Sequence, residues 1–206
     1  GKTDGLSDKD PTGHSDNSEA NTWRLAAGVK PIEGLRLDLE AGASNIDTRY
    51  PSSLTLAQFN ANPGMNKGSK YTHQKLETEH WSVGAEYQIN QQWKVTARHH
   101  NEEKSSIYRP ATSGTDYDYI SNELALQYSH DAFVINAGMQ DFDGKVSQTT
   151  NRTSKENRGF FLHGPYMWDE WTLSAGARKE QVKYRYNALS GESLASDKDL
   201  NSWELG

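Results

Sequence analysis

The chain has 206 residues, a net charge of -6 and only 33% apolar residues, well below the roughly 45–50% that is usual for globular domains. No run approaches the ~18 apolar residues of a transmembrane helix, and the absence of Cys excludes disulfides and thiolate chemistry. The acidic balance without a Lys/Arg cluster argues against a nucleic-acid partner, and the 10% aromatic content argues against disorder.

Apolar and polar residues alternate in eight segments, and a period of two is the period of a β-strand. The apolar positions of these segments contain no charged residue, whereas the intervening positions are rich in Arg, Glu, Asp and Gln. A ninth strand begins at Trp203. The pattern predicts an antiparallel sheet with one apolar face. In chain order, the eight segments are residues 23–29, 35–43, 81–89, 93–97, 124–128, 133–139, 160–168 and 171–177.

The connections between these segments alternate between short and long. No helical periodicity separates the strands, so the sequence predicts a meander with all short turns at one end. The short connections are residues 31–34, 90–91, 130–131 and 169–170. The long ones, which we expect to be external loops, are residues 1–20, 48–78, 101–117, 141–157 and 187–201.

Aromatic residues occupy two levels along the predicted strands. Most flank the short turns, as Trp93, Tyr128 and Trp171 do, whereas Trp23 and Trp81 lie nearer the long loops. Two aromatic levels around a band of small aliphatic residues are typical of a membrane β-barrel. The sequence therefore predicts an all-β, antiparallel, up-and-down transmembrane β-barrel, present as an incomplete set of about nine strands. A soluble β-sandwich is the alternative.

Several segments resemble TonB-dependent outer-membrane receptors. Residues 156–178 resemble a barrel hairpin of these receptors that ends in Gly176-Ala177-Arg178, and residues 201–206 resemble its next strand. Residues 3–5 with 16–18 resemble the loop after an early strand, and residues 51–59 with 62–63 resemble an external loop. The resemblance implies uptake of an iron–siderophore or similar scarce ligand, with external loops that capture it. It also implies a TonB complex that pulls on a plug domain.

The chain departs from the complete receptors in three respects. It lacks a plug domain, an energy-coupling box and a final strand with a terminal aromatic residue. Single-chain bacterial barrels also have an even number of strands. We therefore expect residues 1–206 to be a partial barrel domain of a larger, monomeric receptor in the outer membrane of a Gram-negative cell. A passive porin or adhesin barrel is the alternative function. Because enzyme motifs are absent, we expect no enzymatic activity, and an outer-membrane hydrolase is the enzyme alternative.

Aromatic and arginine residues near the ends of the strands are the candidate ligand-binding groups. Together they suit a planar, anionic or metal-chelated ligand, and the alternative is ordinary packing at the loop roots. The candidates at the rim are Tyr108, Arg109, Tyr117, Tyr119, Tyr184, Arg185 and Tyr186, with Arg98 and Arg178 on the lumen strip below them.

The N-terminal loop matches the spacing of a calcium-binding loop, although Pro11 lies within it and no helices flank it. An acidic, solvated loop is the alternative, and no other cofactor is expected. His99 and His100 are adjacent strand residues, so they are expected to point to opposite faces rather than to share a metal ion. The candidate calcium ligands are Asp8, Asp10, Thr12, Asp16 and Glu19.

Overall fold

The computed structural model describes residues 1–11, 13–67, 72–109 and 113–206, without the side chains of Thr72, Arg109 and Ser113. These residues form one sheet of ten strands in the order β1 to β10, and each strand is antiparallel to its neighbours in sequence. The predicted meander is confirmed. The strands are β1 (Lys2–Thr3), β2 (Ser18–Ile32), β3 (Leu35–Tyr50), β4 (Thr72–Gln88), β5 (Trp93–Arg109), β6 (Ser113–His130), β7 (Phe133–Gln148), β8 (Asn151–Trp168), β9 (Trp171–Ala188) and β10 (Ser193–Leu205).

The sheet has no apolar core. Among the described residues no apolar side chain is buried, and stripe residues are largely exposed, as Leu25 (67%) and Leu39 (59%) show. A β-sandwich would bury these residues between two sheets, but only one sheet is present in the described part of the chain. The sandwich alternative is therefore wrong. The sheet is also open, since β1 and β10 do not pair with each other.

All four short turns lie at one end of the sheet, as predicted. Two-residue connections separate β2 from β3, β6 from β7, and β8 from β9. Two of these turns contain a residue with positive φ, Gly34 at 78° and Asp169 at 54°. The turn between β4 and β5 is slightly longer, and the Asn90 carboxamide oxygen accepts hydrogen bonds from the backbone N–H groups of Gln92 and Trp93, both at 2.9 Å.

Three of the predicted long loops are mostly strand, so that part of the prediction is wrong. Residues 101–117, 141–157 and 187–201 instead extend β5 to β10 as long hairpins. Only residues 149–150 separate β7 from β8, and residues 189–192 separate β9 from β10. The apolar stripe of the outer face ends before these extensions, where the outer positions are mostly polar, although the backbone ladder continues, with Ser105 opposite Asp116 for example.

The two remaining long segments contact each other. The backbone N–H of Asp8 donates to the Gly64 carbonyl at 2.6 Å, and the Asn62 amide donates to the Asp8 carboxylate at 3.1 Å. The second segment contains the short helix α1 (Leu56–Ala61), which has a capping box formed by Thr55 and Gln58. Among the described residues, no helix is long and apolar enough to cross a membrane.

The two faces of the sheet are called here the outer face, which carries the apolar stripe, and the inner wall, which is opposite. The register is unshifted along β5 to β10, so this alternation continues into the long hairpins. Ion pairs such as Arg24–Glu40 at 2.7 Å lie on the inner wall. A polar inner wall and an apolar outer face are the arrangement of a membrane barrel.

The aromatic residues form the two predicted levels on the outer face. Near the short turns, the Trp93 ring lies 4.6 Å from the Tyr128 ring, which lies 5.7 Å from Phe133. At the other end of the stripe, the Trp81 ring lies 4.7 Å from the His99 ring. Rings at both boundaries of the apolar band suit the two headgroup levels of a bilayer.

A single arginine on either face of β4 tests the assigned register. Val83 is on the outer face and Ser82 is its neighbour on the inner wall, opposite Glu40. We expect Val83→Arg to destabilise the folded barrel by ~2–4 kcal/mol, because the charge enters lipid. Ser82→Arg is the matched control and should cost much less. Equal losses of stability in urea titrations of the two variants in lipid would contradict the assignment of faces.

Candidate ligand-binding site

A cavity of about 450 Å³ opens on the inner wall above the apolar band. It lies across β5 to β9. Each of these strands contributes one or two inward side chains at this level, so residues far apart in sequence meet there. Its charged and aromatic lining residues are Arg98, His100, Glu123, Asp141, Phe142, Lys155 and Arg178.

Hydrogen bonds hold Arg178 in a fixed position at the edge of this cavity. Its Nη1 donates to Gln140 Oε1 at 2.7 Å, and its Nε donates to Glu180 Oε2 at 3.1 Å. Gln140 in turn donates to Glu123 Oε2 at 2.7 Å. This network links β9 to β6 and leaves Arg178 half-buried, with 30% of its side chain exposed. A half-buried, positioned guanidinium can bind an anion with little loss of side-chain entropy.

Gly159 on β8 makes room for this guanidinium. An added Cβ at Gly159 would lie 2.6 Å from an Nη atom of Arg178, so the side chain lies directly over the glycine backbone. Any larger residue would displace the guanidinium from the backbone. The glycine thus helps to set the position of Arg178.

An aromatic group borders the cavity on the side of the long hairpins. Phe142 stacks on Tyr119 with ring centroids 5.9 Å apart, and Tyr119 lies 6.0 Å from Tyr117. The Lys155 ammonium lies 6.0 Å from the centroid of Phe142, at the outer limit of a cation–π contact. These rings provide flat apolar surface next to the cationic groups.

Cationic side chains outnumber carboxylates in the lining of the cavity. Arg98, Lys155 and Arg178 line it together with two carboxylates, Glu123 on the inner wall and Asp141, which pairs with Arg158 on the outer face. Among the described residues neither Arg98 nor Lys155 forms an ion pair, so both remain available to a ligand. The arrangement suits an anionic ligand with planar groups.

The structure brings together part of the predicted site. Arg98 and Arg178 line the cavity, and Tyr117 and Tyr119 adjoin it through Phe142. Tyr184 and Tyr186 lie higher on the same inner wall, where Tyr184 is opposite Lys155.

The other predicted residues lie elsewhere. Tyr108 lies near the end of β5, where its hydroxyl accepts a hydrogen bond from Gln74 at 2.9 Å. Gln74 also accepts a hydrogen bond from Tyr50 at 2.9 Å. The register places Arg185 on the outer face, opposite Ser154, so its side chain points away from those of Tyr184 and Tyr186, and its role in binding a ligand stays a prediction. Arg109 is the last residue of β5, opposite His73, and its side chain lies outside the described residues.

Sequence reasoning missed Phe142, Lys155 and Gln140. Phe142 and Lys155 lie in a segment that was predicted to be a loop, residues 141–157, and Gln140 lies directly before it. The signal that could have found them is the alternation itself, since Gln140 and Phe142 continue the inward positions of β7 beyond the apolar stripe.

The predicted calcium ligands do not converge. Asp16 accepts hydrogen bonds from the backbone N–H groups of Leu6 and Ser7 and from the Ser7 hydroxyl, whereas Asp10 accepts one from the His14 N–H at 2.9 Å. Asp8 contacts Asn62, and Glu19 contacts Asn21. No metal-binding group of three His or acidic side chains forms among the described residues, and Thr12 lies outside them. Calcium binding here stays a prediction without an assembled cage.

The carboxyl group of Asp16 links the two ends of this loop through its hydrogen bonds with Leu6 and Ser7. Burial raises its pKa, but the hydrogen bonds from Ser7 and Leu6 outweigh burial and hold the pKa below its usual value of 3.8. A lowered pKa means that the folded loop is favoured by the ionised form, so this stabilisation is present above pH ~3.8 and is lost as the pH falls through the folded pKa.

His99 and His100 lie on opposite faces, as predicted. His99 Nδ1 lies 2.6 Å from Asn122 Oδ1 and its ring packs on Trp81, whereas His100 lies on the inner wall 6.1 Å from the His80 ring. The two imidazoles therefore do not form a chelating pair.

Neither a protein-family model nor a curated protein sequence matches the chain. Solved structures do match it. The ferric citrate transporter FecA covers 92% of the chain with a TM-score of 0.70 and 13% identity. BauA, the ferric preacinetobactin receptor of Acinetobacter baumannii, covers 92% with a TM-score of 0.70 and 10% identity. FyuA, the ferric yersiniabactin uptake receptor of Yersinia pestis, covers 99% with a TM-score of 0.59 and 15% identity.

The chain has the β-barrel fold of TonB-dependent receptors. It spans 34% of FecA and 37% of BauA and of FyuA, so it matches about a third of the length of each. The fold predicted from the sequence, an incomplete antiparallel barrel, is confirmed.

The N-terminal loop provides a test that is independent of the ligand. We expect Asp16→Ala to expose residues 4–17 to protease at neutral pH, because the carboxylate that receives the Ser7 and Leu6 hydrogen bonds is lost. The wild-type loop should stay protected down to about pH 3.8. Asp4→Ala is the matched control. Protection of the Asp16 variant equal to that of the wild type would contradict this role.

Added calcium should increase wild-type protection if the loop binds the ion.

Proposed function

We propose that this chain forms wall strands and external hairpins of an outer-membrane receptor that takes up an iron–siderophore or a similar scarce ligand, driven by TonB. The observation that carries the proposal is the fold. The matching structures include FecA, BauA, FyuA and the ferric-catecholate import receptor Fiu of E. coli K12, each named for a ferric ligand. All four names describe import or reception rather than enzymatic catalysis, which favours a protein that is not an enzyme.

The chemistry of the inner-wall cavity supports this proposal. Many iron chelates are anionic and carry planar groups, and the cavity offers Arg98, Lys155 and Arg178 beside the Phe142 ring. Cationic groups on a concave wall attract an anion from a distance, and aromatic rings give it a rigid surface. The external hairpins would make the first contact, and the cavity would hold the chelate within the barrel.

The outer face supports a location in the outer membrane. Its exposed apolar stripe, bounded by aromatic rings, has no partner within the described residues. Lipid is the environment in which such a stripe is stable. Coupling to TonB through a plug domain is the part of the proposal that rests on the fold alone.

Ligand binding is tested by removing the two cavity arginines. In the full-length protein, Arg98→Ala with Arg178→Ala should weaken binding of ferric complexes by at least ~1–3 kcal/mol, because charged hydrogen bonds are lost. The assay uses a panel of ferric citrate, catecholate and hydroxamate complexes. Arg185→Ala on the outer face of β9 is the matched control and should bind as the wild type does. Equal affinity of the double variant and the wild type for every complex would remove the cavity from the site.

The same panel separates active uptake from the passive alternative. Uptake into whole cells should stop when the proton-motive force is collapsed, although binding at the cell surface continues. Uptake that persists without the proton-motive force would favour a porin.

The orientation of the barrel is tested by cysteine labelling, for which the cysteine-free chain is a clean background. Thr150→Cys lies in the hairpin turn between β7 and β8, and Gln91→Cys lies in the turn between β4 and β5 at the opposite end. On intact cells, an impermeant maleimide should label the first variant and not the second. After lysis, both should react. The reverse pattern on intact cells would place the long hairpins in the periplasm.

A further inference from the structure

The outer face of β8 and β9 carries a cationic patch directly above the apolar stripe. On this face, residues 152–158 of β8 and 179–187 of β9 contribute nine side chains, of which five are cationic and one, Glu156, is a carboxylate. The cationic patch consists of Arg152, Arg158, Lys179, Lys183 and Arg185.

The register fixes the height of the patch relative to the stripe. Lys179 is opposite Phe160, an apolar stripe residue of β8, and Arg158 is opposite Gln181 one level higher. Lys183 and Arg185 occupy the next two levels. Successive levels are ~6.8 Å apart along the strands, because each level is two residues higher. The lowest cations are therefore at the boundary between the apolar band and the external hairpins.

Most of these cations have no carboxylate partner. Arg158 pairs with Asp141 of β7 at 3.3 Å and still exposes 62% of its side chain. Within the described residues, no ion pair forms to Arg152, Lys179, Lys183 or Arg185. The patch can therefore accept an external anion without first breaking more than one ion pair.

The positive charge of the outer face is concentrated on β8 and β9. The outer face of β4 to β6 above the stripe is acidic, with Glu79, Glu103 and Asp118 among its carboxylates. Carboxylates on the outer faces of β7 and β10, such as Asp143 and Asp197, flank the patch. A charge pattern that only served solubility would not need this separation between neighbouring strands.

We infer that the cationic patch binds the phosphate-bearing headgroup of a lipid in the outer leaflet. The acyl chains of such a lipid would lie against the apolar stripe of β8 and β9, and its phosphates would then reach the level of Lys179 and Arg158. Arg and Lys are the side chains that bind phosphate, and each cation near an anionic lipid surface adds to the attraction. The inference rests on the proposed function, since that places the stripe in an outer membrane.

The test uses the full-length protein purified from outer membranes in detergent, and bisphosphorylated lipid A as the probe. We expect Lys179→Gln with Lys183→Gln to lower the lipid A bound per protein, measured by native mass spectrometry, by about tenfold. Lys2→Gln with Lys75→Gln is the matched control, because both lysines lie outside the patch, and it should bind as the wild type does. Dephosphorylated lipid A should bind poorly to all three proteins.

Three outcomes would overturn the inference. The first is equal retention of lipid A by the wild type and the Lys179/Lys183 variant, and the second is equal retention of the phosphorylated and dephosphorylated lipids. The third is displacement of the lipid by millimolar inorganic phosphate, which would show a site for free anions rather than for a headgroup.

Failure of this inference can be told apart from failure of the proposed function. The Lys179/Lys183 variant leaves the inner wall untouched, so its binding of ferric complexes should equal that of the wild type. The Arg98/Arg178 variant should show the opposite behaviour, with lipid A retained and ferric complexes lost. Absence of the wild-type protein from outer-membrane fractions would contradict the proposed location before any lipid is measured.

Discussion

The constraint on which this structure depends is that lipid offers no hydrogen bonds to a polypeptide backbone. A chain with an apolar outer face and no apolar core must satisfy its N–H and C=O groups within the sheet, so each long strand is paired along nearly its whole length. The unbroken pairing of β4 to β9 across the apolar stripe follows from this constraint. The same ladder continues above the stripe into the external hairpins, so that each of these strands contains 16 to 18 residues. The ladder, rather than side-chain packing, holds the inner-wall residues in place.

The sequence predicted this fold wherever one face of a strand was apolar. The stripes, the meander and the four short turns follow from a period of two interrupted by turn residues, and Gly34 and Asp169 adopt the positive φ that such turns require. The strand extensions could not be predicted in the same way. There the outer face is mostly polar, as Ser105 and Asp116 show, so no apolar stripe marks the paired backbone in the sequence.

The candidate site was predictable only in part, for the same reason. Arg98 and Arg178 belong to strands with clear stripes, and their inward direction follows from the alternation. Phe142 and Lys155 lie in the extensions, and their meeting depends on the pairing of β7 with β8, which places Gly144 opposite Lys155. The direction of the Arg185 side chain could not be predicted while its segment was treated as a loop. It lies seven positions after Arg178 on one unbroken strand, and an odd separation places the two side chains on opposite faces.

This division between faces gives β9 two separate roles on one strand. Its inward residues, such as Arg178, belong to the inner-wall network, whereas its outward residues, such as Lys179, lie at the edge of the apolar band. Adjacent side chains on a strand point away from each other and share no partners here, so their substitutions should act almost independently. The backbone ladder is the only element common to both, and side-chain changes leave it intact. A single strand can therefore alter its contacts with a ligand without altering its contacts with lipid, which a residue in a packed core could not do.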